Sequence, residues 1–361
     1  MQKILLLFHM PAIFDSGWAC KLLQALRECG KVEAVVTGVM GPTAMLDSYL
    51  ENEVRFLKED WKQWIKSSIG KYDIMISAMH ATTPERSKAY CWHLLRILGK
   101  DAPLIGVDTN NRLVIPWNNK IRNFAEEVAR KIGFSVEEPV DYGETLWIES
   151  GRKYRRVLAV SAGDYILING LVVGKALSGD VIIVEENGKI IDIKGAQVKR
   201  HGLDKLGDIK LEEAKVDTIT VLRESPPIRR TFKLEKKDKI AFIDHAGLKI
   251  YKFIENKISG AVSVGDDTTT VVGDILSRYS IPIIGIIDED PDQLLREVRY
   301  ADGSLILHVT SDDQFGKLVF KEIFKNRDLI DAAFDELKDY LVRYAREKGF
   351  LKAVDNYYIE K

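Results

Sequence analysis

The chain has 361 residues, enough for two or three domains with cores of their own, and 53 basic against 54 acidic side chains leave a formal charge of -1. That balance excludes a global positive field that would recruit nucleic acid, although a local basic patch stays open. Cys20, Cys29 and Cys91 form neither a C-x-x-C pair nor an even disulfide framework, which predicts reduced thiols in a cytoplasmic protein. The opening MQKILLLFHM lacks an export cleavage site, and no apolar run approaches the ~20 residues that cross a bilayer, so no membrane partner is expected.

Residues 1–142 read as a first Rossmann-like α/β domain. Ile4–Phe8 is an apolar strand ending at His9. Asp15 or Ser16 is placed to cap a helix through Cys29, with Trp18, Leu22, Leu23 and Leu26 inward. Val32–Val36, Ile74–Ser77 and Leu104–Val107 are further strands, and helices through Leu98 and over Asn118–Ile132 complete a doubly wound pattern. Gly38 and Gly41 read as turn glycines, the alternative being a backbone that approaches phosphate; Gly-x-x-Gly is no dinucleotide fingerprint. His9 and His80 both follow strands and read as hydrogen-bonded loop histidines at one crevice. Asp15 is expected to cap a helix, not to act as a catalytic acid.

Helical periodicity fades over residues 143–224, a small β-rich domain with short apolar runs at Arg156–Val160, Tyr165–Ile168, Leu171–Val173, Val181–Val184, Lys189–Ile193 and Thr218–Leu222. Asn169-Gly170 and Asn187-Gly188 suit tight hairpin turns that need positive φ. Asn169–Gly188 resembles the β flap of amidohydrolases in architecture alone, for the chain has no His-x-His metal pair. The segment offers no interleaved aromatic platform for bases, and a structural or oligomerising role is expected.

Residues 225–361 form a second Rossmann-like α/β domain, entered through a linker, Ser225-Pro226-Pro227 to Lys239. Arg229, Arg230, Lys233, Lys236 and Lys237 in that linker read as a solvated face, with neutralisation of a phosphorylated ligand as the alternative. Apolar runs at Ile240–Ile243, Ala261–Val264, Ile283–Ile287 and Ser304–Val309 are parallel strands, with an amphipathic helix over Thr268–Tyr279. A long helix is expected over Asp328–Lys348.

The strand ends carry the chemistry. They are Asp244-His245, Gly265-Asp266-Asp267-Thr268-Thr269, Asp288-Glu289-Asp290 and Thr310-Ser311-Asp312-Asp313. In an open parallel sheet these ends share one rim, where ligands bind. A glycine turn opening a helix suits an anion, because first-turn N–H groups and the positive end of the helix dipole face it. Carboxylates beside an anion repel it unless a hard cation stands between, which points to Mg²⁺ or Mn²⁺ with a phosphorylated ligand. Asp288 and Asp290, two apart, share a face at a strand end and can meet one ion. The expected roles are metal binding for Asp267, Asp288 and Asp290 and phosphate binding for Gly265, Asp266, Thr268 and Thr269. Asp244 and His245 are the expected catalytic pair.

Ile240–Asp244, the Gly265 turn and Ile283–Asp290 resemble a Toprim domain, the metal-binding module of topoisomerases and primases. That likeness assigns Asp288 and Asp290 to metal and puts Asp244 where the family has glutamate. Gly265-Asp266-Asp267-Thr268-Thr269-Thr270 is locally similar to the phosphate loop of group II chaperonins. Over its length the chain resembles an archaeal family known as domain of unknown function 2117, through Asp15-Ser16-Gly17, Gly265–Thr269 and Ser280–Gly285.

These readings converge on an α/β protein of two Rossmann-like parallel-sheet domains with a small β-rich domain between. The expected function is divalent-metal-dependent chemistry on a phosphorylated small molecule or nucleotide. Non-enzymatic nucleotide or metal sensing is the alternative, and a Toprim-like nucleic-acid enzyme the third. Homo-oligomerisation is left open.

Overall fold

Ile4–Phe8, five apolar residues in succession, is wholly buried at the middle of a seven-stranded sheet. The computed structural model describes residues 1–59, 61–219, 223, 226–244, 249–288 and 299–357. They belong to a mixed α/β chain of two units, Met1–Ile228 and Arg229–Lys361.

The first unit opens with β1 (Gln2–Phe8), α1 (Ala12–Asp15), α2 (Trp18–Arg27), β2 (Gly30–Val36), α3 (Gly41–Asp47), β3 (Val54–Phe56) and α4 (Trp61–Ser67). It continues through β4 (Ile74–Met79), α5 (Pro84–Leu98), β5 (Leu104–Asp108), β6 (Leu113–Pro116), α6 (Arg122–Ile132) and β7 (Ser135–Val136). The strands lie in the order β3-β2-β1-β4-β5-β6-β7, and the first five in that row are parallel. The order reverses between β1 and β4, which makes a topological switch point. Alternation along β1 feeds two cores: Ile4, Leu6 and Phe8 pack with Leu22, Leu23 and Leu26, while Leu5 and Leu7 pack with Leu94 and Trp92. Thr83 caps α5 by accepting from Arg86 N, with Pro84 at the first helical position.

The expected capping role of Asp15 is corrected here. Gly17 (φ 75) precedes α2 without a side-chain cap. Asp15 instead forms an ion pair with Arg223, whose Nε lies 3.0 Å from Asp15 Oδ2 and whose Nη1 lies 2.8 Å from Asp47 Oδ2.

β8 (Leu146–Glu149), β9 (Arg152–Val157), β10 (Tyr165–Ile168), β11 (Leu171–Ala176), β12 (Val181–Glu186), β13 (Lys189–Lys194), β14 (Ala196–Val198), α7 (Arg200–Leu206) and β15 (Val216–Ile219) complete the unit. They form two four-stranded sheets, β14-β11-β10-β15 and β13-β12-β9-β8, around Ile166, Ile168, Val173, Ile183 and Leu211. Asn169-Gly170 (φ 51 and 88) and Asn187-Gly188 (φ 51 and 83) make the positive-φ turns of two hairpins. A buried ion pair, Arg86–Asp164 at 2.9 Å, joins α5 to the loop before β10.

The second unit contains β16 (Lys239–Asp244), α8 (Lys249–Glu255), β17 (Gly260–Val264), α9 (Asp266–Ser277), β18 (Ile283–Ile287), β19 (Ser304–Val309), α10 (Asp312–Leu318), β20 (Leu329–Asp331), α11 (Phe334–Glu347) and β21 (Leu351–Tyr357). Its sheet runs β20-β16-β17-β18-β19-β21, parallel from β16 to β19 and antiparallel at both edges. Phe242, Val264, Ile286 and Leu307 form one core with Phe315, Leu337, Leu341 and Tyr344. The helix expected over Asp328–Lys348 begins later. Leu329–Asp331 pairs with Lys239–Ala241 as an edge strand, and α11 starts at Phe334.

Candidate functional site

The carboxyl ends of β17, β18 and β19 bring Asp266, Asp288 and Asp312 together, with one carboxylate oxygen of each within 4.8 Å of the others. Sequence spacing alone does not join these three, which lie 22 and 24 positions apart (266, 288, 312). Strand order does, because β17, β18 and β19 are neighbours in the sheet. Asp266 opens α9, Asp288 follows β18, and Asp312 opens α10 behind Ser311, whose hydroxyl accepts from Gln314 N.

Asp312 is 4% exposed, and its Oδ1 accepts from Asp313 N at 2.6 Å. Gly265 has φ +95, and a Cβ there would lie 3.8 Å from Asp312 Oδ2 and 3.7 Å from Thr268 Oγ1. Its conformation, rather than lack of space, is what calls for glycine. The first helical hydrogen bond of α9 runs from Thr269 N to Gly265 O at 2.9 Å, so the first-turn amides have no acceptor within the helix. Lys352, on β21, donates to the Asp288 carbonyl at 3.3 Å and brings a positive charge to this edge.

Three carboxylates at this spacing fit a hard divalent cation. Carboxylate oxygens bound to Mg²⁺ or Ca²⁺ lie about 2.0–2.6 Å from the ion, so partners on opposite sides are separated by roughly 4–5 Å. Without an ion, three like charges so close oppose one another.

The other expected residues fall in different places. Asp267 is half-buried in the first turn of α9 and outside the three-carboxylate group. Asp244 is exposed at the end of β16, one strand beyond β17 and away from β18. Thr268 is half-buried beside Gly265. Thr269 is turned inward, 1% exposed, with its hydroxyl 2.9 Å from Ser263 Oγ, where it packs α9 onto β17. His245 and Asp290 lie outside the described residues. Sequence reading noted Asp312 as a strand-end carboxylate without giving it a ligand role. The available signal was its place between a strand and a capped helix, the same as that of Asp266.

Among the described residues, Arg229 and Lys236 of the basic linker are bound away from this rim. Arg229 binds Asp274 and Ser277 near the far end of α9, Lys236 donates to Ser280 O, and Phe232 stacks on Tyr279. These partners lie toward the amino edge of the strands, so Arg229 packs along α9, while Lys233, Lys236 and Lys237 are exposed, in line with the solvated face expected of this run. Among the described residues, no helix is long and apolar enough to cross a membrane.

The model of a family described as an uncharacterized protein conserved in archaea matches residues 6–327. The chain is also similar to an uncharacterized protein of Methanocaldococcus jannaschii, MJ0065, at 31% identity over 340 residues. That alignment covers 90% of this chain and 93% of the relative.

Proposed function

We propose that this chain, which belongs to the archaeal family DUF2117, is a divalent-metal-dependent enzyme acting on a phosphate-containing ligand by phosphoryl transfer or phosphodiester chemistry. The observation that carries the reading is the meeting of Asp266, Asp288 and Asp312 within 4.8 Å, next to the amino end of α9. Those side chains would hold Mg²⁺ or Mn²⁺. When bound, the ion supplies positive charge that polarises a phosphoryl oxygen.

Charge counting shapes the rest. Three carboxylates and one divalent ion leave one surplus negative charge, so phosphate needs further positive potential. The amino end of α9 contributes the equivalent of about half a charge, and the Lys352 ammonium adds a full charge at the Asp288 edge. Gly265 leaves the approach to the first-turn amides clear of a side chain.

The test is turnover. Nucleoside triphosphates, phosphomonoesters and phosphodiesters are offered with Mg²⁺, Mn²⁺ or chelator, and phosphate release and diester cleavage are measured. The proposal expects metal-dependent turnover that Asp312→Asn abolishes. Metal-dependent binding with no turnover across the panel would favour a nucleotide- or metal-binding regulator instead.

A further inference from the structure

The balanced overall charge leaves room for a local basic patch, and the first unit has one where α4 and α5 meet β9 and β15. Asp217, on β15, has Lys215 Nζ 3.1 Å from its Oδ2 and Lys62 Nζ, on α4, 3.8 Å from its Oδ1. Arg155, on β9, reaches the same stretch of chain. Its Nη1 donates to Leu211 O at 2.8 Å and to Ala214 O at 2.6 Å, three residues before Asp217. On α5, His93 and Arg96 lie three apart and share a helical face. The charged groups that act on His93 are Lys62, Asp217, Arg96 and Arg155, and Arg96 also acts on Arg155, so these five side chains occupy one neighbourhood.

The charges there do not balance. Four cations, Lys62, Lys215, Arg96 and Arg155, gather about one carboxylate, that of Asp217. Asp141, the other acid near Arg96, is shared with Lys100 and takes hydrogen bonds from Trp92 Nε1 and Gly143 N. Like charges so close oppose one another unless an anion stands between them.

Donors are left over for that anion. Arg96 lies over the Trp92 ring, 4.9 Å from its centroid, and its N–H groups have no acceptor among the described residues. A guanidinium held by its face keeps its in-plane donors for a ligand. Arg155 spends only Nη1 on protein carbonyls. These groups are within reach of solvent: Lys62 is 32% exposed, His93 and Arg96 are exposed, and Arg155 is half-buried. Desolvation, then Lys62, with Arg96 and Arg155 adding and Asp217 opposing, hold His93 below the usual histidine range, so its ring reports the local field.

We propose that Lys62, Arg96 and Arg155 form a further binding site, for the phosphoryl group of a small phosphate-bearing ligand. Guanidinium forks match phosphate oxygens in pairs, and the lysine adds a point charge. A single phosphoryl group and a polyphosphate chain share that chemistry. The cations converge from α4, α5 and β9 on one spot instead of tracking along a groove, which fits a compact anion and not a nucleic-acid strand. The site lies wholly in the first unit and does not rest on the metal reading.

The test is NMR of the His93 ring in the full chain with chelator present and ionic strength held constant, the signal being assigned through His93→Asn. Inorganic phosphate, tripolyphosphate and a single-stranded RNA are titrated separately. The expected result is saturable movement of the signal toward its protonated position with phosphate or tripolyphosphate, because a bound anion offsets the surrounding cations. Phosphate as an active titrant identifies a single phosphoryl group, and tripolyphosphate alone identifies a polyphosphate chain. Arg96→Gln, checked for an unchanged unfolding midpoint, should weaken binding about tenfold. No saturable movement overturns the proposal, as do movement with RNA alone and undiminished binding in folded Arg96→Gln. The wild-type titration decides the matter even if the variant does not fold.

Discussion

Arg223→Ala removes the guanidinium that Asp15 and Asp47 share. The Arg223 and Asp47 side chains are each 3% exposed, while Asp15 is 24% exposed. Burial opposes the charge on Arg223, yet hydrogen bonds and attraction from the two carboxylates raise its pKa above the ordinary value. Deleting one partner of a buried ion pair costs about 3–5 kcal/mol, because a charge is left behind in a poorly solvated place. Water reaching Asp15 relieves part of that, so we expect the lower end, about 3 kcal/mol. For a unit of this size, that lowers the unfolding midpoint by about 6–12 °C. Denaturant and thermal unfolding of wild type, Arg223→Ala and the double variant with Asp47→Asn measure it. The double variant should recover part of the loss, since the stranded charge is gone. A loss below about 1 kcal/mol, the value of an exposed pair, would refute the buried-clamp argument.

Gly265→Ala should cost about 1–3 kcal/mol through backbone strain at φ +95 although the space is open, as denaturant unfolding will register. His9 titrates near 3 when folded and near 6.5 when unfolded, so between those values the unfolded chain binds the extra proton. Stability from His9 is therefore complete above about pH 6.5 and is lost as pH falls, by up to about 1.4 kcal/mol per pH unit. His9→Gln should flatten the acid limb of the stability profile by that slope; an unchanged profile would contradict burial of a neutral ring. Asp244→Asn should leave Mn²⁺ affinity near wild type while Asp312→Asn weakens it more than tenfold, a contrast that calorimetry reads directly.

How much of this was legible depended on the strength of local pattern. Ile283–Ile287 and Ser304–Val309 were read with the bounds they have, since uninterrupted apolar runs specify buried parallel strands. The edge strand Leu351–Tyr357, largely exposed and carrying Lys352, Asp355 and Asn356, gave no such run. Leu329 fits the helical spacing of α11 yet sits in a strand, because pairing with β16 outweighs periodicity over three residues. At the site, the acidic rim could be read from the motifs, but its membership could not. Asp312 joins Asp266 and Asp288 through sheet order, a long-range property with no local signature, and the same order leaves Asp244 at the margin. Thr269 sat in an attractive Thr-rich loop, yet helical rotation turns it toward Ser263. The clamp on Arg223 needed contacts more than 170 positions apart, beyond any reading of spacing.

The most direct measurement is thermal unfolding with Mg²⁺ or Mn²⁺, alone and with a nucleotide panel, on wild type and Asp288→Ala. At roughly 100 times its dissociation constant, a ligand bound at the rim adds about 2.7 kcal/mol. The account predicts a metal-dependent rise in wild type, enlarged by a phosphate-bearing ligand and absent from Asp288→Ala. No rise with either metal, or one that persists in Asp288→Ala, would contradict it and leave Asp266, Asp288 and Asp312 without a ligand role.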